Sequence, residues 1–367
     1  MRLFIVAGES SGDLLGADLV SQLKKHTDLE IHGVGGDNLI AEGLQSLFPM
    51  SDLSVMGWRD VYLRLPKLLW RLKQTVDAIV AQKPDLVVLI DSQEFSNRVA
   101  QKVRERWAGA KIVLYVAPSV WAWRPERAQK IKNLYDEVLC VLPFEPRVFA
   151  ELDGPRTSYV GHIAEHLADQ RQAGAARKSF LLLPGSREGE INRNLKEITP
   201  TIDWLETSHD DIELVLPTLF RLENAVSKSV SQHQVKVVAG RNEFIRQIST
   251  AGAAIAVSGT VTLELGCANI PHVMTFLAEP KMMRIYEENG RPLINLNNII
   301  VGRKFVPEVL GTRDLAPAIL RETQQLLGRE QAQQDQLAGY EEMRFKMKEG
   351  EPEAPRQNAV DRILELA

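Results

Sequence analysis

Apolar runs in this chain repeatedly end in residues that can hold or move charge. Ser179-Phe-Leu-Leu-Leu183 runs into Pro184-Gly185-Ser186-Arg187 and then into a helix-compatible segment. Gly185 permits a sharp turn at the strand's carboxyl end, Ser186 is placed to cap the next helix, and Arg187 adds a fixed positive charge. Free helix N–H groups beside a guanidinium make a pocket for a phosphate or a developing oxyanion, although an ordinary strand–turn–helix with a solvated Arg is spelled the same way. A second such stretch is Val257-Ser258-Gly259-Thr260-Val-Thr262-Leu-Glu264. Its hydroxyls and helix-start N–H groups suit a diphosphate, and Glu264, one turn after Thr260, suits ribose hydroxyls; a plain capped helix with a dipole-complementing Glu remains the alternative.

Two carboxylates follow strand-like runs in the first half. Leu86-Val-Val-Leu-Ile90 delivers Asp91, which can take a proton from an attacking hydroxyl or simply cap a helix. Leu3–Ala7 delivers Gly8-Glu9-Ser10-Ser11-Gly12-Asp13. The glycine spacing is not that of a dinucleotide fingerprint, and Glu9 would repel phosphate but suits neutral sugar hydroxyls. A third loop, Ala117-Pro-Ser119-Val-Trp121-Ala-Trp123-Arg124-Pro-Glu-Arg127, puts two indoles beside two guanidinium groups. Indole faces stack on sugar rings or cover acyl chains, and guanidinium pairs with phosphate; core packing alone would not call for the prolines and arginines around them.

His162-Ile-Ala-Glu165-His166 has the spelling of a zinc-protease motif, but no third ligand follows and a chance match is the better reading. No Asp-x-Asp sequence occurs, so no metal–diphosphate site is indicated. A net charge of −4 argues against a nucleic-acid binder held by global charge. Cys140 and Cys267 sit in apolar segments and read as buried, reduced thiols. No stretch reaches the ~18 apolar residues of a membrane-crossing helix, so a cytosolic or membrane-surface protein is expected. In Trp58–Lys73, a helical wheel places Leu65, Leu68, Leu69, Leu72 and Val76 on the core side. Leu63 and Trp70 then point outward beside Arg64, Lys67 and Arg71, with Pro66 at the helix start. An apolar, cationic face suits anionic lipid headgroups; a protein–protein patch is the alternative.

Strands alternating with helices must position these groups. The grammar runs once through about Val160, passes a polar connection, and restarts at Phe180. At 367 residues two domains are the default, each a doubly wound parallel sheet, the two facing each other. Ligands of such sheets sit beyond the carboxyl ends of the strands, where Glu9, Asp91 and Ser119 fall. We place the boundaries at 1–165, 166–340 and a helical tail, 341–367, that packs back on the first domain of its own chain or of a partner.

These segments together resemble the lipid-A-disaccharide synthases, bacterial glycosyltransferases of the GT-B type. The resemblance is carried by AGESSGD at 7–13, AEGLQSLFPMSDLSVMG at 41–57, KPDLVVLID at 83–91, YVAPSVWAWRPERAQKI at 115–131, LPFEP at 142–146, VGH at 160–162, LLPGSREGEI at 182–191, SGTVTLE at 258–264 and NIIVGRKFVPEVLG at 298–311. It implies transfer of 2,3-diacylglucosamine from its UDP derivative to 2,3-diacylglucosamine 1-phosphate (lipid X), giving a β(1→6) disaccharide 1-phosphate and UDP. No cofactor and no metal are implied. The setting would be the cytoplasmic face of the inner membrane of a Gram-negative bacterium, with a homodimer possible. By position, Glu9, Asp91, Arg187 and Asn298 match residues of the family's active site. Asp91 would be the base, Arg187 and the Gly185–Arg187 turn would hold the leaving diphosphate, and Ser119, Trp121, Trp123 and Arg124 would meet the acceptor. The chain departs where the family often has Asp-x-Pro-Asp-Phe, Gly-His-Pro and a Pro after Gly35-Gly36: here stand Gln93-Glu94, Ile163 and Asp37.

Two other classes fit the same architecture. A UDP-N-acetylglucosamine 2-epimerase would be indifferent to acyl chains, and a catalytically silent relative would bind UDP-sugar or lipid without turnover.

Overall fold

The computed structural model of the chain describes residues 1–53, 57–122, 124–170, 179–209 and 211–367, the side chains of 57–64 and 169–170 excepted. It divides into two compact units, Met1–His162 with Met347–Ala367, and Ile163–Lys346.

The first unit is built on seven parallel strands: β1 (Arg2–Ala7), β2 (Glu30–Val34), β3 (Gln45–Ser46), β4 (Leu86–Ile90), β5 (Ile112–Tyr115), β6 (Glu137–Cys140) and β7 (Thr157–Tyr159). Their order is β3-β2-β1-β4-β5-β6-β7. The central strands read as unbroken Leu, Ile, Val and Phe because helices cover both faces; Leu3–Val6 and Leu86–Ile90 are fully buried. The chain moves outward from β1 to β3 and returns on the far side of β1 as β4. Order therefore reverses between β1 and β4, and the pairing of Ala7 with Ile90 makes residues 8–9 and 91 leave the sheet side by side. The terminal helix Ala359–Leu366 closes this unit: Arg362 donates to both oxygens of the fully buried Glu137, through Nε at 3.1 Å and Nη2 at 2.5 Å.

The second unit repeats the plan with β8 (Ser179–Leu183), β9 (Glu213–Thr218), β10 (Val235–Ala239), β11 (Ala251–Val257), β12 (His272–Leu277) and β13 (Glu308–Gly311), parallel in the order β10-β9-β8-β11-β12-β13. Here the reversal falls between β8 and β11, whose ends are paired through Leu183 and Ala256. Long helix Glu330–Glu349 is pinned to β12 by buried His272, whose ring nitrogens meet the Tyr340 hydroxyl at 2.8 Å and Asn295 at 3.2 Å. Burial keeps that imidazole neutral, its pKa pushed down to about 4.

The helix Gly57–Gln82 corrects one expectation. Pro66 lies inside it rather than at its start, and Leu65 and Leu69, assigned to the core side, are exposed together with Trp70. Val76 and Ile79 do enter the core. Arg71 faces inward: its guanidinium lies 2.7 Å from Asp52 and 4.5 Å from the Phe48 ring centre, while Lys67 binds the other Asp52 oxygen at 2.5 Å. The wheel could not register this because Asp52, outside the helix, decides which cations turn in. Leu63 and Arg64 lie outside the described side chains. Among the described residues no helix is long and apolar enough to cross a membrane.

Candidate functional site

In the first unit the reversal point between β1 and β4 holds two carboxylates. Glu9 is exposed at the start of the helix Ser10–Leu23 and makes no capping bond with its side chain. Asp91 leaves β4 in a left-handed conformation, φ 50°, followed by Ser92 at φ 45°. Its backbone N–H donates to Tyr115 O at 2.9 Å, and its carbonyl accepts from the Ser96 hydroxyl at 2.7 Å. The side chain is therefore not the helix cap; position Ser92 takes that place and the Asp91 carboxyl is left at the sheet's end. Burial, reinforced by the negative charge of Glu9, raises the Asp91 pKa above the ordinary carboxylate range. A half-buried carboxylate that resists ionisation is a suitable proton acceptor for a sugar hydroxyl. Asp13, in the same Gly8–Asp13 stretch, does something else: buried, it accepts N–H bonds from Gly36, Asn38 and Leu39 and fixes the start of the helix Asp37–Ala41.

The tryptophan loop follows β5. Val116 is held at φ 78°, a costly conformation for a β-branched residue, with its carbonyl accepting from Gln93 Nε2 at 3.1 Å. Glu94 pairs with Arg127 of the same loop at 2.9 Å. Ser119 and Arg124 are exposed, Arg124 with φ 56°. Trp121 is turned into the body: its ring meets Phe144 edge-on at 5.3 Å and its N–H donates to Glu145 at 3.3 Å. Trp123 lies outside the described residues. Glu145 also accepts the N–H groups of Val141 and Leu142 at 3.1 and 3.0 Å, and burial pushes its pKa up to about 7. Sequence reasoning missed this carboxylate; the signal was an acidic residue inside the apolar Leu142–Pro146 segment.

In the second unit the reversal point lies between the turns after β8 and β11. Gly185 has φ 126° and Arg187, exposed, takes the cap position of the helix Glu188–Ser208. Ser186, expected as the cap, is not: its N–H is held by Glu190 Oε2 at 3.1 Å, and its carbonyl accepts from Arg221 at 3.3 Å. Glu190 thus reaches back over the turn from the helix's first turn, a carboxylate lying on N–H groups suited to an anion. On β11's side Gly259 and Thr260 are exposed, a Cβ at Gly259 would meet nothing, and Ser258 is half-buried. Thr262 is not available to a ligand, since its hydroxyl is buried and donates to Gly259 O at 2.8 Å. Glu264 is paired with Arg241 at 2.6 Å, a partner the sequence reading did not find, and burial raises its pKa despite that cation.

Asn298 has no spare atom for a ligand. Fully buried, it donates to Val306 O and Glu308 and accepts from Phe305 and Val306, so it shapes the 305–308 segment. Among the described residues the one trio with metal-ligand geometry is Asp203, Glu206 and His233, which shares no member with either site nor with His162, Glu165 and His166.

The model of one family, lipid-A-disaccharide synthetase, matches residues 3–361. The chain belongs to the lipid-A-disaccharide synthetase family. A lipid-A-disaccharide synthase of Rhodopseudomonas palustris is 36% identical over 377 residues, covering 99% of this chain and 96% of that one. One of Nitrobacter winogradskyi is 37% identical over 381 residues, covering 99% and 95%. In fold the chain is similar to the UDP-GlcNAc 2-epimerase of Neisseria meningitidis bound to UDP-GlcNAc, with a TM-score of 0.65 at 13% identity over 100% and 99% of the chains. It is likewise similar to Acinetobacter baumannii MurG, with a TM-score of 0.56 at 13% identity over 100% and 98%. Such distant likenesses establish only the GT-B type of fold, which glycosyltransferases and epimerases share. Family membership makes this lipid-A-disaccharide synthetase homologue a UDP-sugar glycosyltransferase of lipid A synthesis, with UDP-sugar and lipid substrates, and removes the epimerase from favour.

Proposed function

We propose that the protein transfers 2,3-diacylglucosamine, with inversion, from UDP-2,3-diacylglucosamine to the 6-hydroxyl of 2,3-diacylglucosamine 1-phosphate. Asp91 takes the 6-hydroxyl proton as that oxygen bonds to the donor's anomeric carbon. The bond from that carbon to the diphosphate oxygen breaks, and UDP leaves. Arg187 and the N–H groups of the Gly185–Arg187 turn balance the charge gathering on UDP, with Ser258, Gly259 and Thr260 beside them and Glu264 on the ribose. Glu9 orients sugar hydroxyls, and Asn298 acts only by shaping its surroundings. Ser119 and Arg124 are offered to the acceptor. The observation that carries this reading is the placing of Asp91 and Glu9 together at the β1–β4 reversal point, with Asp91 held against ionisation.

The test is turnover in detergent micelles with purified protein, UDP-2,3-diacylglucosamine and labelled lipid X, with EDTA present. Disaccharide 1-phosphate is expected, and its loss in Asp91→Asn. UDP-sugar binding without product would leave the silent relative as the reading.

The substrates' acyl chains favour reaction at a bilayer surface. The exposed Leu65, Leu69 and Trp70 of this helix are the group we assign to that contact. Lys67 contributes with its exposed stem; Arg71, bound to Asp52, holds the helix in place instead.

A further inference from the structure

Apart from the two strand-end sites, three side chains of metal-ligating type converge in the second unit. Asp203 and Glu206 stand three residues apart in the helix Glu188–Ser208, so one helix face carries both carboxylates. His233 reaches them from the short connection between the helix Glu223–Ser229 and β10. Its Nδ1 lies 3.5 Å from Asp203 Oδ1 and 3.3 Å from Glu206 Oε2, and the three ligand atoms all fall within 4.8 Å of one another.

Charge and geometry both favour a cation here over a plain ion pair. The carboxylates bring two negative charges, and one imidazole can return at most one positive charge. Among the described residues no other cationic group pairs with either carboxylate. A tetrahedral zinc ion bound at about 2.0–2.2 Å by imidazole nitrogen and carboxylate oxygen sets its ligands roughly 3.3–3.6 Å apart, which matches both distances from Nδ1. The nitrogen ligand argues against magnesium and calcium, which take oxygen. Glu206 is already oriented: its Oε1 accepts the backbone N–H of Gln234, leaving Oε2 turned to His233. The His233 side chain is only 7% exposed and that of Asp203 is 60% exposed, so a cation enters from the Asp203 side and takes water as its fourth ligand. His233 Nε2 lies 3.3 Å from the Gln232 amide nitrogen. Turning that exposed amide over presents its oxygen to an Nε2–H, the tautomer required when Nδ1 binds metal.

We propose that Asp203, Glu206 and His233 form a site for a divalent cation of the zinc class. The ion ties the end of the helix Glu188–Ser208 to the segment leading into β10. None of the three residues belongs to the transfer machinery, so the site serves to hold this part of the second unit together.

The experiment titrates chelator-stripped, full-length protein with zinc chloride and separately with magnesium chloride, by calorimetry and by thermal unfolding. The wild type is expected to bind one equivalent of zinc at this site, to unfold several degrees higher with zinc, and to respond little to magnesium. Asp203→Ala and His233→Ala should each lose at least about tenfold in zinc affinity and most of the thermal shift. Asp203 is an exposed helix position that alanine suits, so the test stands even where His233→Ala fails to fold. Cobalt(II) in place of zinc should give the strong visible absorption of a tetrahedral ion in the wild type and lose it in Asp203→Ala. A wild type that binds no zinc, zinc affinity unchanged in Asp203→Ala, or an equal response to magnesium overturns the proposal. Turnover with EDTA present is read independently of these titrations, so the reaction assigned above stands or falls separately.

Discussion

The hydroxyl of Ser92 occupies the place where a side chain on Gly8 would begin: a Cβ at Gly8 would stand 2.2 Å from Ser92 Oγ and 3.0 Å from its Cβ. The ends of β1 and β4 are thus in contact through a glycine, and the left-handed pair Asp91–Ser92 leans on it. Gly8→Ala must push Ser92 away and carry Asp91 with it. We expect a loss of about 1–3 kcal/mol in stability, as for other overpacked sites, and a loss of kcat exceeding any change in donor KM. Ser92→Gly removes both clashing atoms and favours the left-handed backbone, so the double variant should recover much of both. Denaturant unfolding and turnover of the four species check this; independent, additive effects would show that the contact does not position Asp91.

The pH dependence of turnover should carry the mark of Glu9. Burial first, and Glu9's charge second, oppose ionisation of Asp91, so the base stays protonated to a higher pH than an ordinary carboxylate. Activity should therefore fall on the acid side at a pH above the usual Asp range. Glu9→Gln removes one opposing charge, lowers the Asp91 pKa and moves that acid limb to lower pH, whatever it does to the maximum rate. An acid limb unmoved in kcat/KM for Glu9→Gln would detach the two carboxylates.

Glu145 gives the folded state an opposite, measurable signature. Its pKa is raised by burial from 4.5 to about 7, so the folded chain holds this proton more tightly than the unfolded chain. From this group, stability is greatest below about pH 4.5, falls as pH rises toward 7, and is flat above, a span on the order of 3 kcal/mol. Glu145→Gln should flatten that part of the pH–stability curve in denaturant unfolding. An unchanged slope between pH 5 and 7 would place the titration elsewhere.

What could be read from the residues alone was whatever periodicity and local spelling determine. Short unbroken runs rich in β-branched residues, such as Leu86–Ile90, read as strands buried on both faces, and the glycine or carboxylate ending each run marks the sheet's functional edge. What could not be read was where a polar side chain finds its partner from another element. Asp52 draws in Arg71, Arg241 neutralises Glu264, Glu145 takes the Trp121 N–H, and Asn298 is consumed by the segment at 305–308. Each pairing joins a residue to a segment outside its own element, and no helical wheel or motif spacing contains it.

The exposed Leu65, Leu69 and Trp70 predict binding to bilayers. Leu69→Ser/Trp70→Ser should reduce flotation with anionic liposomes while leaving turnover in detergent micelles near wild type, because neither side chain is buried. Arg71→Ser is a different experiment: it strips Asp52 of the more buried of two cations, Lys67 foremost and Arg71 after it, that hold its carboxyl below the usual range. It should therefore destabilise the fold. Equal flotation of the Leu69/Trp70 variant and wild type would remove the membrane role from these residues.

Glu190 lies on the turn that we assign to the leaving diphosphate. Its Oε2 accepts from Ser186 N–H at 3.1 Å and would be 2.5 Å from a Cβ on Gly185, so the carboxylate covers the turn. A diphosphate seeking the same N–H group must displace it, and an anion left nearby repels the ligand by roughly 1 kcal/mol in a solvated setting. The contact also satisfies a free N–H at a helix start, worth about 0.5–1 kcal/mol. Glu190→Ala should therefore melt slightly lower yet bind UDP several-fold more tightly, since the ligand no longer competes for Ser186. Calorimetric titration with UDP decides it. Weaker binding by Glu190→Ala would mean that the carboxylate shapes the turn for the ligand, and the anion site would then have to lie on the Ser258–Thr260 turn alone.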